Sequence, residues 1–221
     1  MAEALKFNDG PHPNPSVPES ILPQGACDTH CHVFGPGDVF PYAPERKYTP
    51  PDAPAEALNA LHGKMGISRA VIVQASCHGK DNRATLDAIA KSGGRYLGIG
   101  MVGPEVTDAE LAELDAGGIR GIRFNFVSHL GGAPDLDAFK VLVGRIAELG
   151  WHVVLHLDAL DIVDYTDLFR TLPVPMVIDH MGRVDGSAGI DQEPLRLLLD
   201  FLGNDNVWVK VSGPERVSRA G

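Results

Sequence analysis

Short apolar runs rich in Val, Ile and aromatic residues alternate along this chain with longer stretches whose apolar positions recur every three or four residues. The short runs are 25–32 "GACDTHCH", 68–75 "SRAVIVQA", 95–102 "RYLGIGMV", 119–126 "IRGIRFNF", 151–157 "WHVVLHL", 174–180 "VPMVIDH" and 206–212 "NVWVKVS". They predict strands that are mostly apolar on both faces, as in a parallel sheet covered by helices. The longer stretches predict helices over 54–65, 82–92, 107–116, 135–149, 161–171 and 192–203. Asp81, Thr107 (with Glu110 three residues on) and Asp135 stand where N-caps are needed. Gly66, Gly93, Gly117, Gly150 and Gly203 close helices.

A strand–helix repeat of this kind is α/β, built either as a closed (β/α)8 TIM barrel or as an open doubly wound sheet. Two features favour the barrel. No Gly-x-Gly-x-x-Gly follows the first strand, so the dinucleotide fingerprint is missing. Polar residues end nearly every strand: His30 and His32, Ser76 and His78, Arg123 and Asn125, His156 and Asp158, Asp179 and His180, Lys210 and Ser212. A barrel gathers its site from the C-terminal ends of all its strands, whereas an open sheet needs polar ends only near its switch point. The expected organisation is a Pro-rich N-terminal arm over 1–24 and a barrel domain over 25–221. Seven strands are legible, so the eighth strand is expected to be missing from the given chain and the domain to be incomplete at its C-terminus.

Composition narrows the partners. With 221 residues and a net charge of −10, the chain lacks the basic face that nucleic acid demands. No apolar run is long enough to cross a membrane, and the first residues show no apolar signal segment. Cys27 and Cys31 sit about 13 Å apart on a strand, too far to bridge. With Cys77 they read as reduced thiols, which points to the cytoplasm. Nothing in the sequence sets the oligomeric state.

Residues two apart on a strand share a face, so His30 and His32 point into the expected barrel mouth. His156 and His180 end two later strands and are expected to converge there. Such imidazoles polarise a carbonyl and hydrogen-bond an attacking water, or hold a divalent metal whose bound water has a pKa near 7. Neither Asp28, one step deeper than the two histidines, nor Asp179, expected to face the other way by strand parity, makes a convincing general base. Arg123, Arg183 and Arg216 follow strand ends and suit the carboxylates of an anionic substrate. Tyr48, Ser76, His78 and His129 add neutral hydrogen-bonding groups. The loop 33–53, with five prolines and Phe34, Phe40, Tyr42 and Tyr48, reads as a lid or wall.

The motifs "DTHCHVFGP", "FPYAPERKYTPPDA", "VIVQASCHGKDNRATLDAI", "GIRGIRFNF", "VIDHMGRVD" and "NVWVKVSGPER" together resemble the 2-pyrone-4,6-dicarboxylate lactonases, a metal-independent branch of the amidohydrolase superfamily with a (β/α)8 barrel. The resemblance runs from about residue 25 to the end. It implies hydrolysis of the lactone ring of a small anionic pyrone dicarboxylate, in bacterial catabolism of lignin-derived aromatics, without a cofactor. It implies catalytic roles for His30, His32 and His180, and substrate contacts at or near Tyr48, Ser76, His78, Arg123, Arg183 and Arg216. It departs at two positions: His129 stands where the family has an Arg, and His156 where it has a Tyr. These departures leave room for a related lactone, such as a muconolactone or sugar lactone. The water-activating base, an Asp in a "GTDWPHP"-like motif, is expected beyond residue 221.

The first expectation is therefore a lactone hydrolase. A second loads one divalent metal, Zn or Mn, on His30, His32 and His156 for metal-dependent hydrolysis or decarboxylation. A third is a non-catalytic truncated barrel that binds carboxylates or a partner chain.

Overall fold

The computed structural model describes residues 6–20 and 22–218; residues 1–5 and 21 of the expected arm, and residues 219–221, lie outside the described residues. Contacts group the chain into two units that divide between Arg120 and Gly121.

In the first unit three parallel strands lie side by side in chain order: β1 (Cys27–Cys31), β2 (Arg69–Val73) and β3 (Tyr96–Gly100). Helices α1 (Ala55–Met65) and α2 (Arg83–Lys91) connect them, and α3 (Asp108–Ala116) follows β3. A two-residue parallel ladder pairs Lys6–Phe7 with Tyr48–Thr49 and ties the arm to the long loop. Thr107 caps α3 as expected. Its side chain accepts from the Glu110 N–H at 3.2 Å, and the Glu110 carboxylate accepts from the Thr107 N–H at 2.7 Å. At the head of α2 the cap position falls on Asn82, while Asp81 accepts from the Arg83 N–H at 3.1 Å. At the far end of α3 the left-handed conformation is taken by Gly118 (φ 94°), one residue past the expected Gly117.

The second unit holds most of β4 (Ile119–Asn125), then β5 (His152–His156), β6 (Met176–Ile178) and β7 (Val207–Val209), again parallel and adjacent in chain order. Helix α4 (Leu136–Glu148) joins β4 to β5, and α7 (Glu193–Phe201) joins β6 to β7. Asp135 caps α4, accepting from the Ala138 N–H at 2.8 Å. The single helix expected over 161–171 is two short ones, α5 (Ala159–Asp164) and α6 (Thr166–Arg170). Tyr165 breaks out of helical geometry between them and sets its ring edge to face with Phe126, centroids 5.3 Å apart. The run from Val153 to Leu157 is buried throughout, the signature of a strand covered on both faces.

Gly98 shows how closely the helical layer sits on the sheet of the first unit. A Cβ there would lie 2.6 Å from Ile119 Cδ1 and 2.8 Å from Ile89 Cδ1. Gly98→Ala is expected to cost about 1–3 kcal/mol through overpacking, read as a lower urea midpoint. Gly63→Ala, in α1 with nothing within 4 Å of the added carbon, is expected to stabilise by about 0.5–1 kcal/mol.

Candidate active site

In the first unit, β1 delivers His30 and His32 with their rings edge to face, centroids 5.0 Å apart. His32 Nδ1 donates to the Val73 carbonyl at 2.7 Å. That bond fixes the tautomer and leaves Nε2 as the acceptor. The His30 N–H donates to Asp28 Oδ1 at 3.0 Å. Asp28 Oδ2 in turn lies 3.2 Å from His62 Nε2, and His62 Nδ1 lies 2.8 Å from the Tyr96 hydroxyl. The hydrogen bond from His62 holds the Asp28 carboxyl below the usual carboxylate range.

The loop after β2 is held from within. Buried Gln74 donates to the carbonyls of Gly79 and Asp81, at 3.2 and 2.8 Å, and accepts from Thr85 Oγ1 at 2.6 Å. Asn82 exchanges two bonds with the backbone of Met101, at 2.8 and 2.9 Å. The turn so fixed carries Ser76, Cys77 and His78. His78 is committed to the long loop: Nε2 accepts from the Gly35 N–H at 3.1 Å, and Nδ1 faces the Pro41 carbonyl at 3.3 Å. It anchors loop 33–53. Ser76 Oγ and the Tyr48 hydroxyl lie 3.5 Å apart. Burial pushes Tyr48 up to about 12 and the Cys77 thiol up to about 11, so neither ionises near neutrality.

In the second unit, Asp179 is fully buried and bound on both oxygens. Arg123 donates to Oδ2 from Nε at 3.0 Å and from Nη2 at 2.9 Å, and Lys210 Nζ lies 3.2 Å from Oδ1. Strand parity had placed Asp179 and His180 on opposite faces. That alternation fails because β6 stops at Ile178 and the backbone turns left-handed at His180 (φ 51°), Met181 (φ 55°) and Arg183 (φ 49°). The turn brings the His180 ring to 5.6 Å from that of His156, and His180 Nδ1 shares a hydrogen bond with Ser212 Oγ at 3.0 Å. The His129 ring stands 6.1 Å from that of His156. His156 is pressed down to about 2 by burial first and then by the Arg123 guanidinium, so it is neutral. Arg183 donates to Asp158 Oδ1 at 2.7 Å. Arg216, half-exposed, pairs with Glu215 at 3.2 Å.

Residues 27–221 match the family model described as amidohydrolase. The chain belongs to the amidohydrolase family. It is 51% identical to a 2-pyrone-4,6-dicarboxylate hydrolase of Comamonas testosteroni over 94% of this chain and 68% of that protein. It is 42% identical to a 4-sulfomuconolactone hydrolase of Rhizobium radiobacter over 96% of this chain and 71% of that one. A crystal structure of a probable 2-pyrone-4,6-dicarboxylic acid hydrolase from Acinetobacter baumannii, with citric acid bound, superposes with a TM-score of 0.77 at 30% identity, covering 88% of this chain and 73% of that one. The α/β class of the amidohydrolase barrels, expected from the alternating pattern, is the fold class of this family.

Metal-binding donors are present in this amidohydrolase. In the first unit, Asp28, Cys31 and His62 bring a carboxylate oxygen, a thiol and an imidazole nitrogen within 4.8 Å of one another. Asp28 and His62 are already bound to each other there, and His62 to Tyr96, so this group reads as a hydrogen-bonded support under β1. His62 lies outside the strand-end pattern that marks the other candidate histidines. Its signal was a polar residue on the buried face of α1, in line with Ala55 and Leu58. Lys210 was visible as a strand-end polar residue without a role, and its role is now the second cation on Asp179.

Two outcomes follow. Asp179→Asn leaves Arg123 and Lys210 facing a neutral amide in a dry site, and is expected to cost about 3–5 kcal/mol, read as a large fall in melting temperature. The second concerns acid. Folded His156 resists protonation down to about 2, while the unfolded chain takes the proton near 6.5. Below pH 6.5 the unfolded state binds more protons, so stability falls as pH falls, by up to about 1.4 kcal/mol per pH unit for this one ring. Above pH 6.5 the ring contributes no pH dependence. Urea unfolding at pH 7.5 and 5.0 should therefore show an acid loss about 2 kcal/mol smaller in His156→Phe than in the wild type.

Proposed function

We propose that this amidohydrolase opens the ring of 2-pyrone-4,6-dicarboxylate, or of a closely related carboxylated lactone, in the breakdown of lignin-derived aromatics. The observation that carries the reading is the 51% identity with a relative bearing that hydrolase name. The side chains present suit the chemistry. Imidazoles of His30, His32 and His180 polarise the lactone carbonyl and hold water. Water adds its oxygen to the carbonyl carbon, a general base takes its proton, and the ring C–O bond breaks. The ring oxygen leaves with the electron pair and is protonated, so the product is an open-chain acid. Arg183 and Arg216 hold carboxylates. Arg123 takes part as half of its pair with Asp179. Tyr48 and Ser76 donate to the ring, and His129 and His156 line the remaining side. His78 shapes the loop rather than touching substrate.

In this reading the reaction needs no metal. The rival reading is a single Zn or Mn on His30, His32 and His156. Cys27, Cys31 and Cys77 form no disulfide, which supports a reducing compartment such as the cytoplasm. No helix among the described residues is long and apolar enough to cross a membrane.

Protein dialysed against a strong chelator, its metal content measured, is expected to open 2-pyrone-4,6-dicarboxylate at the rate of untreated protein, followed by loss of pyrone absorbance. Turnover that vanishes with the metal and returns with added Zn or Mn would establish the rival. No opening of any carboxylated lactone at high protein concentration would sink both.

A further inference from the structure

The register of β1 slips once. Asp28 pairs with Ala70 and Cys31 with Ile72, so three steps along β1 match two along β2. Residues three apart on a regular strand point to opposite faces, and an irregularity of this kind re-aims a side chain. Here it turns Asp28 and Cys31 toward His62 of α1, where a carboxylate oxygen, a thiol sulfur and an imidazole nitrogen lie within 4.8 Å of one another. Cys31 Sγ makes a long contact, 3.6 Å, with the Val71 carbonyl. The His62 side chain is 1% exposed and that of Asp28 30% exposed. The group is therefore buried at its imidazole and open to water at its carboxylate.

Thiolate and imidazole select a Zn-like ion, whereas Mg and Ca take oxygen ligands alone. Asp28 Oδ2 and His62 Nε2 stand 3.2 Å apart, about the span of two ligands on a tetrahedral ion with bonds of about 2.0–2.1 Å. The other ring nitrogen is already engaged: His62 Nδ1 lies 2.8 Å from the Tyr96 hydroxyl, and a metal-ligating histidine is held in just this way. We infer that Asp28, Cys31 and His62 form a binding site for one thiophilic divalent cation of the Zn class, using none of the strand-end histidines. In the metal-free protein the same residues form the hydrogen-bonded support under β1. When the ion enters, His62 Nε2 gives up the proton it shares with Asp28 and Nδ1 donates the ring proton to the Tyr96 oxygen. The Cys31 thiol loses its proton to water, and a water molecule takes the fourth position from the Asp28 side. The ion clamps β1 to α1 and takes no part in ring opening.

The test titrates the chelator-treated chain with Co(II), whose tetrahedral thiolate complexes absorb in the near ultraviolet, and then with Zn(II). Wild type is expected to develop the thiolate-to-metal band, saturating at one ion per chain, and Zn(II) to displace it and raise the melting temperature. Cys31→Ser and Cys31→Ala should each lose the band and the rise in melting temperature. Cys27→Ser, which removes the exposed thiol, should keep both. Tyr96→Phe retains all three ligands but not the hydroxyl behind His62, and should weaken binding by about 10–100-fold. His32→Gln should bind as wild type does. No band in wild type would overturn the inference, as would a band that survives the Cys31 variants or vanishes in His32→Gln. None of these outcomes bears on the lactonase reading, which stands or falls on turnover by the chelated protein.

Discussion

A carboxylate with no exposure to water, Asp179, holds the second unit's chemistry in place. It follows β6, and its two cations come from either side: Arg123 from β4 and Lys210 from the end of β7. Three strand ends are thereby tied at one point. Burying three charges is expensive, and the close approach of Arg123 to Oδ2 and of Lys210 to Oδ1 offsets it. The arrangement carries one surplus positive charge. Together with burial, that charge keeps His156 neutral, because a second cation beside Arg123 in so dry a place is strongly disfavoured. The ion cluster and the imidazole are therefore one design.

The first unit reaches rigidity differently, through neutral and singly charged polar networks in which each member has a partner. Gln74 and Asn82 fasten the loop after β2 to the backbone around it. His78 spends both ring nitrogens on the long loop. Beneath His30, the Asp28–His62–Tyr96 relay fixes the backbone of β1 from behind. Satisfied buried networks of this sort specify one arrangement of a loop, where apolar packing alone would permit several.

Periodicity located the strands and helices to within a few residues, because burial on both faces and helical spacing leave strong marks. It failed where a rule was carried past the end of an element. Parity was applied to Asp179 and His180 although β6 ends at Ile178, and three non-glycine residues, His180, Met181 and Arg183, adopt left-handed backbone that no propensity announces. It failed again at Tyr165, where aromatic packing interrupts a helix whose spacing looked continuous. Among candidate site residues, the strand-end histidines and arginines are conspicuous because they are polar groups at the ends of apolar runs. Their partners are not: whether Arg123 faces a substrate or Asp179, and whether His78 faces a substrate or a loop, depends on contacts distant in sequence.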